Sequence, residues 1–390
     1  DFDEINGRFG LKCGDEILKQ FSMCMQSCIN ENQKIYELGN GRFIIMDLAN
    51  HSKEDILELY DELKKSVEVA LEENVYRVVY TISVGIVEID KEMKDYDTLI
   101  KYSDFALNEA KKKGKNSCYF FTQDKYKQFI RRREIRVELQ NAVDHNFKNF
   151  DVYYQPIIDI HTRNLIGAEA LMRFKMKRNE QIEFISPAEF IPILEESGLI
   201  IPAGRWILRQ AVACCKKWQE FIPEFKVNVN LSYVQIIKSK ILDEIKQALK
   251  DFNLKPALLG IEVTESGYLE NTYHYKKLWS SLKEEGITLI LDDYGTGYSN
   301  AYRLSDLTPH YIKIDRVLTQ KALSSNYERS ILIYIIEMAH SLKLNVCIEG
   351  VETEEELQEI KKLNPDYIQG YLFGKPAPED EFYNRQIKKK

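Results

Sequence analysis

The feature that most restricts this fold is a regular alternation between residues 152 and 370. Strand-length apolar runs recur at 226–231, 259–264, 288–292, 311–314, 346–349 and 367–370, with helical segments between them. Two further runs, 152–160 and 165–172, are separated only by His161–Asn164. That gap is too short for a crossover helix, so this first pair is expected to be antiparallel. Eight strands in about 240 residues, with βα alternation, point to an α/β fold of the (β/α)₈ barrel type whose first strand is antiparallel. The competing architecture is an open doubly wound sheet. It would more often place a Gly-rich phosphate loop after an early strand, and none stands there. Ser186-Pro187-Ala188-Glu189 reads as a capping box with Pro at the first helical position, and Gly198 as the end of that helix. Thr353-Glu354-Glu355-Glu356 reads as a second box.

In a barrel, chemistry sits at the C-terminal ends of the strands. Those positions hold Glu169, Asn230, Glu262, Asp292, Asp293, Lys313, Glu349 and Gln369. Any one of them alone reads more simply as a helix cap or an ion-pair partner. Their joint occurrence does not, because independent caps have no reason to converge on one rim. Clustered carboxylates raise each other's pKa values unless cations neutralise them. All-oxygen ligands favour hard ions such as Mg²⁺ or Mn²⁺ over zinc. The adjacent Asp292 and Asp293 could bridge two ions ~3.5–4 Å apart, an arrangement suited to phosphodiester hydrolysis. Gly295 and Gly297 suggest a tight loop beside them, although a lone GTG is usually only a turn.

Residues 1–122 read as a smaller α/β domain. Strands are expected at 34–38 and 42–46 around Gly39-Asn40-Gly41, a hairpin turn signal. A β-rich run follows at 76–87, then a helix at 99–113 closed by Gly114. Residues 123–149 read as a linker helix, with apolar spacing at Phe129, Ile135, Leu139 and Val143, and 150–390 as the barrel.

Composition limits the partners. The net charge of −7 argues against a nucleic-acid polymer or an anionic membrane, both of which need a basic surface. An anionic substrate would have to be held locally, for instance through a cation. Seven cysteines with no CxxC suggest a reducing compartment, and a cytoplasmic location is expected. Cys24 and Cys28 would share a helix face and read as core. The longest apolar run, 331–336, is far short of the ~18–20 residues that span a bilayer. The chain opens on Asp1 rather than Met, so the sequence reads as a fragment whose missing upstream segment could carry a membrane anchor.

Several stretches resemble a known family. Glu169-Ala170-Leu171 with Arg173 is similar to the signature of the EAL phosphodiesterases. It is accompanied by YYQPIID (153–159), ISPAEFIPILEESGLI (185–200), VNVNLS (227–232), IEVTES (261–266), LDDYGTGYSN (291–300), YIKIDR (311–316), IEGVETEEEL (348–357) and YIQGYLFGKP (367–376). The resemblance covers essentially all of 150–378. It implies a barrel with an antiparallel first strand and hydrolysis of cyclic di-GMP to linear pGpG, using two Mg²⁺ or Mn²⁺ ions. By position, Glu169, Asn230, Glu262 and Asp292 match metal ligands, and Asp293 a ligand of the second metal. Lys313 would orient the attacking water or screen charge. Glu349 matches the general base or a ligand to the metal-bound water. Gln155 and Arg173 would contact substrate, Gln369 would be a polar group of the site, and Glu265 would hold the loop at 293–299. Tyr294, Asn300 and Ile348 depart from the commoner residues, but none removes a ligand.

The N-terminal region resembles a GGDEF diguanylate cyclase domain in degenerate form. Phe2-Asp3-Glu4-Ile5-Asn6, Gly14-Asp15, TISVGIVEID (81–90) and YSDFALNEAKKKGKN (102–116) match that family. The signature itself reads Gly39-Asn40-Gly41-Arg42-Phe43, with Gly41 and Arg42 where two acidic residues are required. The strand supplying a metal-binding Asp would precede residue 1, and Asn30 and Gln33 occupy the ends of the RxxD inhibitory motif. The resemblance therefore implies no cyclase activity. Asn6 and Asp15 match guanine-contact positions, which leaves GTP binding open. A structural or dimerising role is expected, with a homodimer as the assembly. The whole chain is expected to be a cyclic di-GMP phosphodiesterase. The alternatives are a non-catalytic cyclic di-GMP receptor and a regulatory scaffold.

Overall fold

The computed structural model describes residues 2–49, 51–72, 81–90, 93, 95–178, 180–264, 272–295 and 308–388. The chain divides into two compact units, Asp1–Arg131 and Arg132–Lys390.

In the first unit, helices Phe2–Phe9 and Leu11–Cys28 precede an antiparallel hairpin of β1 (Gln33–Gly39) and β2 (Arg42–Asp47). Gly39 pairs with Arg42, so Asn40 and Gly41 form a two-residue turn, at φ 53° and 68°. Positive φ at both positions gives the backbone twist that a tight hairpin needs. Helix Lys53–Glu72, β3 (Val84–Ile86), helix Tyr96–Lys112 and β4 (Cys118–Phe120) follow, with β3 and β4 parallel. Of the β-rich run expected at 76–87, only β3 is strand, and residues 76–80 lie outside the described residues. The helix expected at 99–113 begins earlier because the Asp95 carboxylate caps it, accepting from the Asp97 and Thr98 N–H groups. Cys24, Met25, Leu63, Val67 and Ile82 form a core cluster of the described residues, with Cys28 packed against it.

The second unit is a closed eight-stranded barrel. Its strands are β5 (Phe150–Asp159), β6 (Leu165–Arg178), β8 (Lys226–Asn230), β9 (Leu259–Thr264), β10 (Thr288–Tyr294), β11 (Tyr311–Ile314), β12 (Asn345–Glu349) and β13 (Tyr367–Gln369), each bonded to the next in that order. β13 closes the ring on β5. β5 runs antiparallel to both neighbours and the remaining pairs are parallel, as the short 161–164 connection requires. β7 (Gln181–Ile185) and β14 (Ala377–Pro378) add edge pairings on β6 and β5.

The strand expected at 165–172 continues to Arg178 and turns back as β7. Its extension keeps a period of two, with Phe174 and Met176 buried on one face, so the strand goes on past the rim. Helix Gln123–Asp144 buries Ile135, Leu139 and Ala142 in the barrel core, alongside Phe150, Trp218 and Phe382. The box expected at Ser186 is not made. Ser186 is the N-cap and Pro187 follows it, but the Ser186 hydroxyl makes no capping bond. The Thr353 box does form, with Thr353 Oγ1 accepting from the Glu356 N–H and Glu356 Oε2 from the Thr353 N–H. A further box, Ser232 with Gln235, carries the same S-x-x-Q signal but was not singled out from the sequence. Among the described residues no helix is long and apolar enough to cross a membrane. All seven cysteines are free thiols.

Candidate active site

Side chains alternate between the two faces of a strand, so every second residue of a barrel strand points inward. On β8 to β13 the lower inward positions are Asn228, Gly260, Ile290, Tyr311, Cys347 and Tyr367. The positions two residues on are Asn230, Glu262, Asp292, Lys313, Glu349 and Gln369. β5 and β6 add Gln155 and Glu169, which face each other in register. The lower layer is largely apolar: Ile157, Ile290, Tyr311 and Cys347 pack as a cluster of their own. The upper layer is almost wholly polar, at the strand ends where barrel chemistry resides.

Lys313 holds this layer together. It is 1% exposed, and its Nζ lies 2.9 Å from Glu169 Oε2, 2.8 Å from Glu262 Oε2, 2.7 Å from Glu349 Oε1 and 3.5 Å from Asp292 Oδ1. Glu169 also accepts from Asn230 Nδ2 at 2.7 Å and from Gln369 Nε2 at 2.8 Å. Gln369 Nε2 donates as well to Gln155 Oε1, 3.1 Å away. Near the C-terminal end of β10, Asp293 sits at φ 56° where the ladder to β11 shifts between Leu291 and Tyr294. A bulge of this kind re-aims a side chain, and the Asp293 N–H donates to Asp292 Oδ1 at 2.9 Å.

The electrostatics follow from burial. Desolvation raises the Glu262 carboxyl well above its ordinary value, with Glu169 adding to the effect. Asp292 is raised for the same first reason. Burial, then Asp292, pushes Asp293 up to about 6. Burial pushes Glu349 up to about 8 although Lys313 opposes it. Glu169 goes the other way. Its desolvation is outweighed by the Lys313 charge and by the Gln369, Lys313 and Asn230 donors, so its carboxyl stays below the ordinary value. Lys313 is desolvated too, but Asp292, Glu169, Glu262 and Glu349 hold its ammonium well above the usual range.

Of the residues expected from sequence, Glu169, Asn230, Glu262, Asp292, Lys313, Glu349, Gln369 and Gln155 thus share one bonded network, with Asp293 bonded beside it. Arg173 stands at its edge. Its guanidinium lies 5.4 Å over the Tyr153 ring and donates to the Met172 carbonyl. Glu265 lies outside the described residues, as do residues 296–299 of the loop it was expected to hold. Asn228 and Tyr311 were not anticipated. Asn228 Nδ2 donates to Glu262 Oε1 at 2.8 Å and to Tyr311 Oη. The signal that could have found them is their position two residues before Asn230 and Lys313 on the same inward face.

Among the described residues, no three His, Cys, Asp or Glu side chains are set as ligands of one ion. The point where four carboxylates converge is taken by the Lys313 ammonium. The donors still fit hard divalent cations. Four carboxyl groups surround one ammonium and Asp293 stands beside them, so the site holds more acidic oxygen donors than Lys313 alone can balance. The remaining donors are amide oxygens, and the buried Gln369 Oε1 has no hydrogen-bond partner among the described residues.

The model of the EAL domain family matches residues 136–376, and that of the diguanylate cyclase GGDEF domain matches residues 1–117. The chain is 31% identical over 386 residues to the signaling protein YkoW of Bacillus subtilis, covering 98% of this chain and 47% of that one. It is 28% identical over 393 residues to the cyclic di-GMP phosphodiesterase PdeR of Escherichia coli, covering 100% of this chain and 58% of that one. The chain thus spans about half the length of these curated relatives. The solved structure of the PaMucR phosphodiesterase in complex with c-di-GMP superposes with a TM-score of 0.60 at 29% identity, covering 64% of this chain and 99% of that one.

Proposed function

The chain belongs to the EAL domain family, and from that premise we propose that its barrel hydrolyses cyclic di-GMP to linear pGpG with the help of two Mg²⁺ or Mn²⁺ ions. The observation that carries this reading is the ring of Glu169, Glu262, Asp292 and Glu349 around buried Lys313 at the strand ends, with Asp293 beside it. Glu169, Asn230, Glu262, Asp292 and Asp293 would hold the cations. When bound, such ions polarise the phosphodiester and lower the pKa of the attacking water. Glu349, which faces Lys313 Nζ at 2.7 Å, would accept a proton from that water or hold the water in place. Lys313 would stabilise charge developing on the phosphoryl oxygens. Gln155, Arg173 and Gln369 would orient the substrate, and Glu265 would support the 293–299 loop.

The N-terminal unit is assigned no cyclase activity. Its hairpin turn presents Gly41, which has no side chain, and Arg42, whose guanidinium pairs with Asp104 at 3.2 Å. Neither supplies a carboxylate ligand. A site for GTP, and pairing into a homodimer, are proposed for this unit. The buried Asn6 Oδ1, which has no hydrogen-bond partner among the described residues, supports the first of these.

The test is turnover of cyclic di-GMP by the full chain with Mg²⁺ or Mn²⁺, before and after exhaustive chelation. Cation-dependent formation of pGpG is the expected result. Binding of cyclic di-GMP without turnover would instead make the chain a receptor, and full turnover after chelation would overturn the two-cation reading.

A further inference from the structure

Glu262 is wholly buried and each of its oxygens accepts a hydrogen bond. Oε2 faces Lys313 and Oε1 faces Asn228 Nδ2. The Asn228 amide is 2% exposed, and its second Nδ2 proton is directed at Tyr311 Oη. This arrangement depends on Gly260, the inward residue below Glu262 on β9. A Cβ there would stand 2.2 Å from Asn228 Oδ1, so only glycine leaves the space in which the amide lies. Tyr311 reaches Asn228 from β11, with its ring set edge-on against Tyr367, centroids 5.7 Å apart. Beneath both residues the barrel is not filled. A cavity of about 140 Å³ is lined by Asn228, Tyr311, His310, Asn345, Tyr367 and Ile157. Packing from below therefore does not fix Glu262. The hydrogen bond from Asn228 does, with the Asn228 amide itself anchored by its second bond to Tyr311 Oη.

We propose that Asn228 and Tyr311 are positioning residues that fix the Glu262 carboxylate for cation binding. This rests on the phosphodiesterase reading above, in which Glu262 is a ligand. Hydrogen-bond partners of a ligating carboxylate orient it, and their loss costs roughly 10–100-fold in metal affinity. The plainer alternative is a buried polar pair that merely satisfies itself and stabilises the barrel. The two differ in what a substitution changes. A structural pair contributes to melting temperature, whereas a positioning pair sets cation affinity.

The test uses the full chain freed of metal, titrated calorimetrically with Mn²⁺ alone, with melting temperature measured in parallel. Asn228→Ala is expected to weaken Mn²⁺ binding roughly 10–100-fold. It should raise the Mn²⁺ concentration for half-maximal activity by a similar factor and leave KM for cyclic di-GMP at saturating Mn²⁺ unchanged. Tyr311→Phe keeps the ring contact with Tyr367 and removes only the hydroxyl, so it should weaken Mn²⁺ binding by a smaller factor. Mn²⁺ affinity within about twofold of the wild type in Asn228→Ala, whatever its melting temperature, overturns the inference and leaves the phosphodiesterase reading standing. If Asn228→Ala does not fold, unchanged affinity in Tyr311→Phe overturns it equally. A wild-type chain that binds no Mn²⁺ overturns both.

Discussion

Lys313 and Glu349 approach within 2.7 Å, a contact that a rim salt bridge and a reaction centre would share. What separates the two is the rest of the neighbourhood. Lys313 also meets Glu169 and Glu262 within 2.9 Å, so it neutralises a cluster rather than one partner. Removing it from the metal-free protein leaves several buried carboxylates uncompensated, which is strongly destabilising. Lys313→Ala should therefore lower the metal-free melting temperature, and added divalent ions should raise it by more than they do in the wild type. Lys313→Ala and Glu349→Gln should each lower kcat by roughly 10²-fold or more at saturating cation. Mutants that lose only thermal stability would make the pair a structural bridge. Glu169→Ala should abolish turnover with the circular dichroism of the fold intact, and near wild-type kcat would show that Glu169 is no ligand.

The same residues give a pH dependence with a defined sign. Asp293 at about 6 and Glu349 at about 8 bind protons more tightly in the folded chain than their ordinary values of 3.8 and 4.5 imply. Such groups stabilise the fold fully below their unfolded pKa values, and that contribution is lost as pH rises through the folded ones. Metal-free protein should become less stable from about pH 5 to pH 8. Glu349→Gln should flatten the upper part of that fall, and denaturant titrations in chelator across this range would measure it. A slope identical to that of the wild type would remove Glu349 as the source.

At the scale of elements, helix Glu354–Lys361 follows the strand that carries Glu349, and the reciprocal bonds of Thr353 and Glu356 fix where it starts. Thr353→Ala removes the cap, and a loss of about 1 kcal/mol is expected from chemical denaturation, with kcat little changed. A neutral result would mean that packing of Leu357 and Ile360 sets the helix start by itself. This box was readable because a cap is local, with both partners three residues apart. Ser186 shows the limit of such a signal: the same sequence pattern is present and Ser186 is the N-cap, but its hydroxyl makes no capping bond. The extension of β6 and its return as β7 were missed for the opposite reason. Lys175, Lys177 and Arg178 made the run look polar, while only the buried face of Phe174 and Met176 shows that it is a strand.

On the scale of the whole molecule, helix Gln123–Asp144 contributes Ile135 and Leu139, both fully buried, to the barrel core. Large-to-small changes at such positions typically cost several kcal/mol. A chain starting at residue 123 should therefore melt higher than one starting at residue 150, and equal melting temperatures would make the helix a mere connector. The full chain is expected to convert no GTP to cyclic di-GMP. Detection of that product would overturn the assignment made from Gly41 and Arg42.

The sequence by itself determined the barrel, its antiparallel first pair and the strand ends that carry polar groups. Each depends on short-range quantities: the length of an apolar run, the four residues at 161–164, or the residue type at a strand end. Only the tertiary structure decided that Lys313 sits at the centre of the carboxylates. It alone placed Asn228 against Glu262 across two strands and showed Tyr311 reaching Asn228 from a third. Those contacts join residues 34 and 83 positions apart in the chain. No local pattern records them, because the closure of the ring brings the strands together and the space left by Gly260 lets the amide in.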